Sequence, residues 1–279
     1  MKKILFAILT LSICFPDILA QPKPLKPGSF RFAFISDIHM EYNEQTMKSF
    51  DNTVKQMNLK NPAFIITGGD NVKDARRQRE TYADSLYNLY IDQVKRFNAR
   101  VYTGIGNHES FGVSNPKVDP SNAMYGKKMY QSRHGNTYSS FMHKGWKFFM
   151  LDNVRDVGAA YIGSISGDQM EWLREELAST NPSTPVVVVG HIPFISSMKQ
   201  FQLGSLTPTP PNDGVDNSIE FFKLFAKHNL KLVLQGHFHF MEILYANNCH
   251  YIVSPDPRTG FFMFRVKRDE VEWEFVPNK

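Results

Sequence analysis

The chain has 279 residues, of which 42% are hydrophobic, 13% aromatic and 21% charged, and its formal net charge is +5. That composition excludes a disordered or low-complexity chain. The basic residues are scattered in short groups such as Arg76, Arg77 and Arg79, with no long run and no aromatic-interleaved groove, so nucleic-acid binding is not indicated and the mild positive balance favours anionic substrates only.

The first twenty residues stand apart. Lys2 and Lys3 precede the apolar run Ile4 to Cys14, and Ile18-Leu19-Ala20 offers a cleavage point before Gln21, the pattern of a secretory signal peptide. Pro16 and Asp17 interrupt the run, which is shorter than the roughly 18 residues a membrane span needs. A lipoprotein reading at Cys14 is disfavoured by Ile13, where a small residue is expected. An exported protein, periplasmic or secreted, is therefore expected, with residues 21–279 as a single domain and no membrane span in the mature chain. Cleavage after Ala20 removes Lys2, Lys3 and Asp17, takes the charge from +5 to +4 and leaves only Cys249. With no internal disulfide available, the domain must rest on its core.

In the mature chain, Phe30 to Ser36 alternates and reads as a strand that delivers Asp37-Ile38-His39; side chains at i and i+2 of an extended chain point the same way, so Asp37 and His39 can reach one point. A helix follows with Met47, Phe50, Val54 and Met57 on its inner face. A second strand, Ala63 to Thr67, ends in Gly68-Gly69-Asp70-Asn71. Between Asp74 and Asn98 the spacing of Leu86, Tyr90, Val94 and Phe97 predicts a longer helix, with Arg76 and Glu80 pairing at i,i+4 on its wet side. The third strand, Ala99 to Thr103, leads into Gly104-Ile105-Gly106-Asn107-His108-Glu109-Ser110, where two glycines shape a turn and an amide, an imidazole and a carboxylate follow at once.

Residues 111–135 carry Pro116, Pro120 and Gly126 and read as a long excursion near these loops. Asn136 to Met142 and Lys147 to Leu151 read as a hairpin turning at His143-Lys144-Gly145 and ending at Asp152. A helix over Gly167 to Ser179 precedes the valine-rich strand Pro185 to Val189, which delivers Gly190-His191. Ser196 to Asp216, with Pro208, Pro210 and Pro211, is either a lid over substrate or a plain surface loop. A helix over Ser218 to Lys227 and a strand Lys231 to Leu234 then reach Gly236-His237-Phe238-His239. Met241 to Tyr245, His250 to Val253, Phe261 to Lys267 and Val271 to Val276 read as antiparallel strands. Strand, polar loop, helix, repeated, makes an α/β layered fold with its chemistry at the carboxyl ends of strands.

Five such loops supply Asp37, His39, Asp70, Asn107, His191, His237 and His239. Imidazole, carboxylate and amide oxygen without thiolate suit Zn, Mn or Fe, whereas an all-oxygen set would point to Ca or Mg. The set exceeds one tetrahedral centre and suffices for two ions if one carboxylate is shared. Two ions roughly 3.5 to 4 Å apart can clamp the attacking and leaving oxygens of a phosphoryl displacement.

The blocks Asp37-Ile38-His39, Gly69-Asp70, Gly106-Asn107-His108-Glu109, Gly190-His191 and Gly236-His237-Phe238-His239, in that order, resemble the calcineurin-like metallophosphoesterases. The resemblance implies a two-sheet β-sandwich flanked by α-helices, four αββα layers, with a two-metal site at the sheet edge. It implies that Asp37, His39 and His239 hold one ion, that Asn107, His191 and His237 hold the other, and that Asp70 bridges two divalent or trivalent ions of Mn, Fe or Zn. A metal-bridging hydroxide would be the nucleophile, and His108 would protonate the leaving group or steady the phosphate.

Two branches of that family are disfavoured. Lys73 stands where purple acid phosphatases carry a tyrosine. The protein serine/threonine phosphatases place an arginine before the Gly-Asn-His-Glu block and another soon after the bridging acid, whereas here Ile105 precedes the block and residues 71–74 hold no arginine. The expected activity is hydrolysis of a small phosphate monoester or diester; the alternative is a non-catalytic binding module that kept the fold, which losses among the ligands or at His108 would favour, and none is missing. Outside the blocks, His134, His143, His228 and His250 read as structural. Tyr125, Tyr161, Phe194 and Phe240 can stack on a substrate or belong to the core, and Glu109 either orients His108 or lies on the surface.

Overall fold

A computed structural model describes residues 28–203 and 209–278, so the expected signal peptide lies outside the described residues. The first sheet is built from β1 (Phe30–Ile35), β2 (Phe64–Thr67) and β3 (Arg100–Thr103), which run parallel, with β12 (Gly260–Lys267) and β13 (Glu270–Pro277) added antiparallel, in the order β13-β12-β1-β2-β3. The second contains β5 (Trp146–Met150), β8 (Pro185–Val189), β9 (Asn229–Gln235) and β11 (Cys249–Val253), all parallel. Antiparallel edge strands β4 (Ser139–His143) and β10 (Glu242–Ala246) complete its order, β10-β11-β9-β8-β5-β4. A separate two-stranded hairpin pairs β6 (Val154–Val157) with β7 (Ala160–Gly163).

Alternation along the strands fixes the layers. In β1 the rings of Phe30, Phe32 and Phe34 enter one apolar cluster while Ala33 and Ile35 enter another. In β8 Val187 and Val189 face the same cluster as the β1 rings, and Val186 and Val188 face a third. The shared cluster is the filling between the two sheets, with Phe32 stacked on Phe64 and Phe264 at ring separations of 5.4 and 4.7 Å. The first outer cluster lies under α1 (Glu44–Lys60), α2 (Glu80–Val94) and α3 (Lys128–His134), and the third under α4 (Gly167–Ala178) and α6 (Ser218–Leu224). Helix, sheet, sheet, helix is thus the observed architecture, and central strands such as β1, β2 and β8 are apolar on both faces.

Helix α1 begins where the Asn43 side chain accepts from the amides of Gln45 and Thr46, and ends at Asn61 in a left-handed conformation. The β4–β5 hairpin turns through Lys144 and Gly145, both with positive φ, the pairing a two-residue turn requires.

Three expectations need correction. Helix α2 starts at Glu80 rather than near Asp74, and Arg76 is not on a wet face but buried at 1% exposure; the turn before the helix is held by Ala75 N donating to His108 O (2.9 Å) and Ser114 N donating to Arg76 O (3.1 Å). The excursion 111–135 contains helix α3, and the β6–β7 hairpin was not anticipated. The proline-rich segment after residue 196 includes a short helix, α5 (Met198–Leu203). Its later part is tied down, with Gly163 N donating to Pro211 O (2.7 Å) and Asp216 N to Gly163 O (2.8 Å).

Candidate metal centre

All the parallel strands of a sheet end at the same edge, so the loops after β1, β2 and β3 meet those after β8 and β9 across the mouth of the sandwich. The loops are interlocked by backbone before any side chain acts. His39 N donates to Asp70 O (2.9 Å), Asp37 N to Gly69 O (3.0 Å) and Gly236 N to His191 O (3.0 Å). Asp37, His39, Asp70, His237 and His239 all have positive φ, between 47° and 74°. That region is sparsely used by residues other than glycine and costs on the order of 1–3 kcal/mol each, a strain concentrated at functional sites. Glycine is required where these loops touch: a Cβ on Gly106 would collide with the amide and carboxylate of Asp70, and one on Gly236 would collide with Ser36 Oγ and Asp37 Oδ2.

Carboxylates then bind the loops of other strands. Both oxygens of Asp37 accept from His237 N at 3.0 Å, which joins the first sheet to the second, and Asp70 Oδ1 accepts from His108 N at 2.8 Å. The remaining donor atoms converge in two clusters. Asp37, His39, Asp70 and His239 form one, and Asp70, His191 and His237 the other, each with donor atoms within 4.8 Å of one another. Asp70 belongs to both. In the first, His239 Nε2 lies 3.3 Å from Asp37 Oδ1 and 3.0 Å from His39 Nε2. In the second, His191 Nε2 lies 3.2 Å from Asp70 Oδ2 and 3.0 Å from Asn107 Oδ1. All seven donors expected from the sequence are therefore brought together.

The donors fit metal ions by their chemistry as well as their placement. His191 Nδ1 donates to Gly68 O (2.9 Å), another tie between the sheets, which leaves its Nε2 lone pair facing Asp70 and Asn107. His39 Nε2 and His239 Nε2 lie 3.0 Å apart, close enough for both to serve one ion. The carboxylates are nearly dry, at 1% exposure. Burial pushes the Asp37 carboxyl up, but the His239 hydrogen bond and the His191 charge outweigh it and hold the group below its ordinary range. For Asp70 the same burial is overcome by the charges of His191 and His108, and it lies well below. Burial pushes the His191 imidazole down, yet the Asp70 charge leaves it raised to about 9. The pocket demands positive charge, which ions can supply in place of protons.

His108 stands beside the clusters and outside them. Its Nδ1 donates to Lys73 O (2.5 Å), so Nε2 is turned inward, 3.7 Å from Asp70 Oδ2. Next to it opens a cavity of about 200 Å³ whose walls include Glu41, Lys73, His239 and Arg258.

Glu109 neither orients His108 nor lies on the surface. It is fully buried and its carboxylate accepts from the amides of Gly106 (2.6 Å), Asn71 (2.7 Å), Asp70 (3.0 Å) and Val72 (3.2 Å), clamping the loop after β2 to the loop after β3. Burial, then the Asp70 charge, push its carboxyl up to about 7.

Asn153 was missed. Its Oδ1 accepts from His191 N and Ile192 N, both at 3.0 Å, and fixes the His191 loop. It follows Asp152 at the end of β5, the same strand-then-polar pattern as the other loops, and so was findable. Asp213, with Oδ1 3.6 Å from His237 Nε2, and Arg76 had no such signal. His134, His143 and His250 lie away from the clusters among aromatic rings. Phe194 belongs to the core and stacks on Phe221 at 4.3 Å, whereas Phe240 stacks on Phe238 at 5.6 Å beside His239.

No helix among the described residues is long and apolar enough to cross a membrane. The model of the calcineurin-like phosphoesterase family matches residues 30–241. A 3',5'-cyclic-nucleotide phosphodiesterase of Nostoc sp. is 29% identical over 117 residues, which is 42% of this chain and 40% of the relative, so the match spans less than half of that protein. Among solved structures, a dimetal phosphatase from Danio rerio superposes with a TM-score of 0.67 at 13% identity, covering 90% of this chain and 96% of that one. The Plasmodium protein GAP50, described as the anchor in the inner membrane complex, superposes with a TM-score of 0.58 at 12% identity over 90% and 85% of the two chains. At these identities the structural likeness is one of fold.

Proposed function

The chain belongs to the calcineurin-like phosphoesterase family, and on that premise we propose that it is an exported dimetal phosphoesterase acting on small phosphate monoesters or diesters. The observation that carries the reading is the pair of donor clusters sharing Asp70, with His108 close by but in neither. Asp37, His39 and His239 would hold one ion, and Asn107, His191 and His237 the other, with Mn, Fe and Zn the metals suited to these donors. Bound there, the ions supply Lewis acidity toward phosphoryl oxygens and lower the pKa of water.

The chain's own residues do the rest. The amide of His237 and the amide of His108 hold the Asp37 and Asp70 carboxylates in fixed rotation. The Lys73 carbonyl accepts from His108 Nδ1 and so turns Nε2 toward the cavity. There Nε2 can steady the phosphate or, when the ring carries a second proton on Nε2, hand that proton to the leaving oxygen and return to the neutral ring with its proton on Nδ1. Lys73 and Arg258 place positive charge on that cavity's wall and Glu41 negative charge, which suits a polar leaving group. Export rests on Lys2, Lys3 and the apolar run to Cys14. The complete donor set speaks against a module that has lost catalysis, which the fold alone would permit.

Metal analysis of the purified mature protein should find close to two transition-metal ions per chain. A panel of para-nitrophenyl phosphate, its bis ester, 3',5'-cyclic nucleotides and glycerophosphodiesters, assayed with added Mn or Zn, should show turnover on at least one. His108→Ala should keep both ions and lose about 10²- to 10⁴-fold in kcat. Absence of both metal and hydrolysis sinks the proposal, and unchanged turnover in the variant removes His108 from the reaction.

A further inference from the structure

Arginine is seldom fully buried unless paired, yet Arg76, in the turn before α2, is 1% exposed. Its Nη1 donates to the backbone carbonyl of Asn107 (3.3 Å) and to Asp156 Oδ1 (2.5 Å). Nη2 donates to the carbonyls of Ala160 (3.1 Å) and Ala159 (3.3 Å), and Nε to Ser114 Oγ (3.3 Å). The guanidinium carbon also lies 5.1 Å from the centre of the Tyr161 ring, and that ring meets His237 edge-on at 6.0 Å. One side chain therefore joins three things: the loop that carries Asn107, the β6–β7 hairpin, and through Tyr161 the ring of His237. Asn107 and His237 are both donors of the second half of the centre. Among the described residues no hydrogen bond runs from Arg76 to Asp37, His39 or His239, the donors of the first half.

We propose that Arg76 is a positioning residue for the second half of the centre, the half formed by Asn107, His191 and His237, and that this half depends on it while the first does not. The inference rests on the dimetal reading above. A planar fork of five donors is what lets one side chain span the carbonyl of Asn107 on one segment and two carbonyls with a carboxylate on the hairpin. A lysine keeps the charge opposite Asp156 but cannot reach all of them. The buried carbonyl of Asn107 would then lose a donor, and the loop after β3 would relax where Asn107 must point. Outer partners of metal ligands typically carry 10- to 100-fold in metal affinity. A buried ion pair with only a structural role would lower stability without distinguishing one half of the centre from the other.

The test is calorimetric titration of chelator-treated protein with Mn2+, comparing wild type, Arg76→Lys, Asp156→Asn, His191→Ala and Lys147→Met. Asp156 lies on the hairpin outside the sheets, so its variant keeps the proposal open to refutation if Arg76→Lys does not fold. Lys147 pairs with Glu176 on the second sheet, away from the centre, and serves as a control. Wild type should show two binding events. Arg76→Lys should weaken one of them about 10- to 100-fold, Asp156→Asn should weaken the same one by less, and His191→Ala should abolish it; Lys147→Met should leave both unmoved. Arg76→Lys that binds both ions like wild type, or weakens both equally, overturns the inference alone. Wild type that binds no ion overturns the dimetal reading and the inference with it.

Discussion

At the scale of single residues, polar side chains placed directly after apolar strands were enough to find Asp37 with His39 and His237 with His239, but the extended-chain reasoning was not the cause. All four have positive φ between 47° and 74°, so turns beyond the strand ends, and not a shared strand face, bring each pair together. It was not enough for Glu109 and Arg76. Whether a charged side chain is buried depends on partners that fold up to it, and theirs come from far along the chain: Asp70 to Val72 for Glu109, and residues 156–160 for Arg76. His134 illustrates the opposite case, a histidine outside the site whose isolation has a measurable effect. It sits among Tyr87, Tyr90 and Tyr130, its Nε2 has no hydrogen-bond partner among the described residues, and burial, with some help from Arg133, pushes the imidazole down to about 4. The unfolded chain takes up this proton near pH 6.5 and the folded chain does not until about pH 4. Stability should therefore fall as pH drops through that window, by up to about 3 kcal/mol from this group, and no further below it. Urea midpoints measured at pH 7.5 and 4.5 should differ less in His134→Leu than in wild type; an identical difference would show that the group is not responsible.

At the scale of elements, strands longer than a few residues with alternating or continuous apolar character were legible, as were the helices with a clear inner face. Helix α3 and the β6–β7 hairpin were not. A seven-residue helix gives under two turns of periodicity, and a four-residue hairpin strand gives one alternation, so neither rises above the turn residues around it. The early start expected for helix α2 has a different cause. The apolar spacing of Leu86, Tyr90, Val94 and Phe97 says nothing about residues 74–79, and hydrogen bonds to the loop after β3 and the segment beyond it, from Ala75 N to His108 O and from Gly112 N to Ala75 O, hold that stretch out of the helix. Helix α1 offers the cleaner local test. Asn43 satisfies two of its free amides, so Asn43→Ala should cost about 1 kcal/mol in urea unfolding and leave the metal content at the wild-type value. A loss of metal would mean that the cap holds the cavity wall formed by Thr46, Ser49 and Phe50 and not merely the helix.

At the scale of the whole molecule, the four successive valines Val186 to Val189 pointed to a strand covered on both faces, and the resemblance supplied the four layers. The order of strands within each sheet had no local signature, because it is set by which edges remain open after earlier pairings. The two sheets are joined differently at their two ends. At one end the ties are ordinary: Trp146 Nε1 donates to Arg268 O (2.6 Å), Lys144 Nζ donates to Ser29 O (3.0 Å), and His143 packs against Phe30 at 4.6 Å. At the other end the ties are the Asp37 to His237 and His191 to Gly68 contacts of the centre itself. Ions bound there, as proposed above, would act as a clasp on the sandwich, and chelation should unfasten one end only. Amide exchange after chelator treatment should quicken in residues 68–71 and 236–239 while the amides of Trp146 and Lys147 hold their protection; uniform quickening would mean that the sheets part as one body.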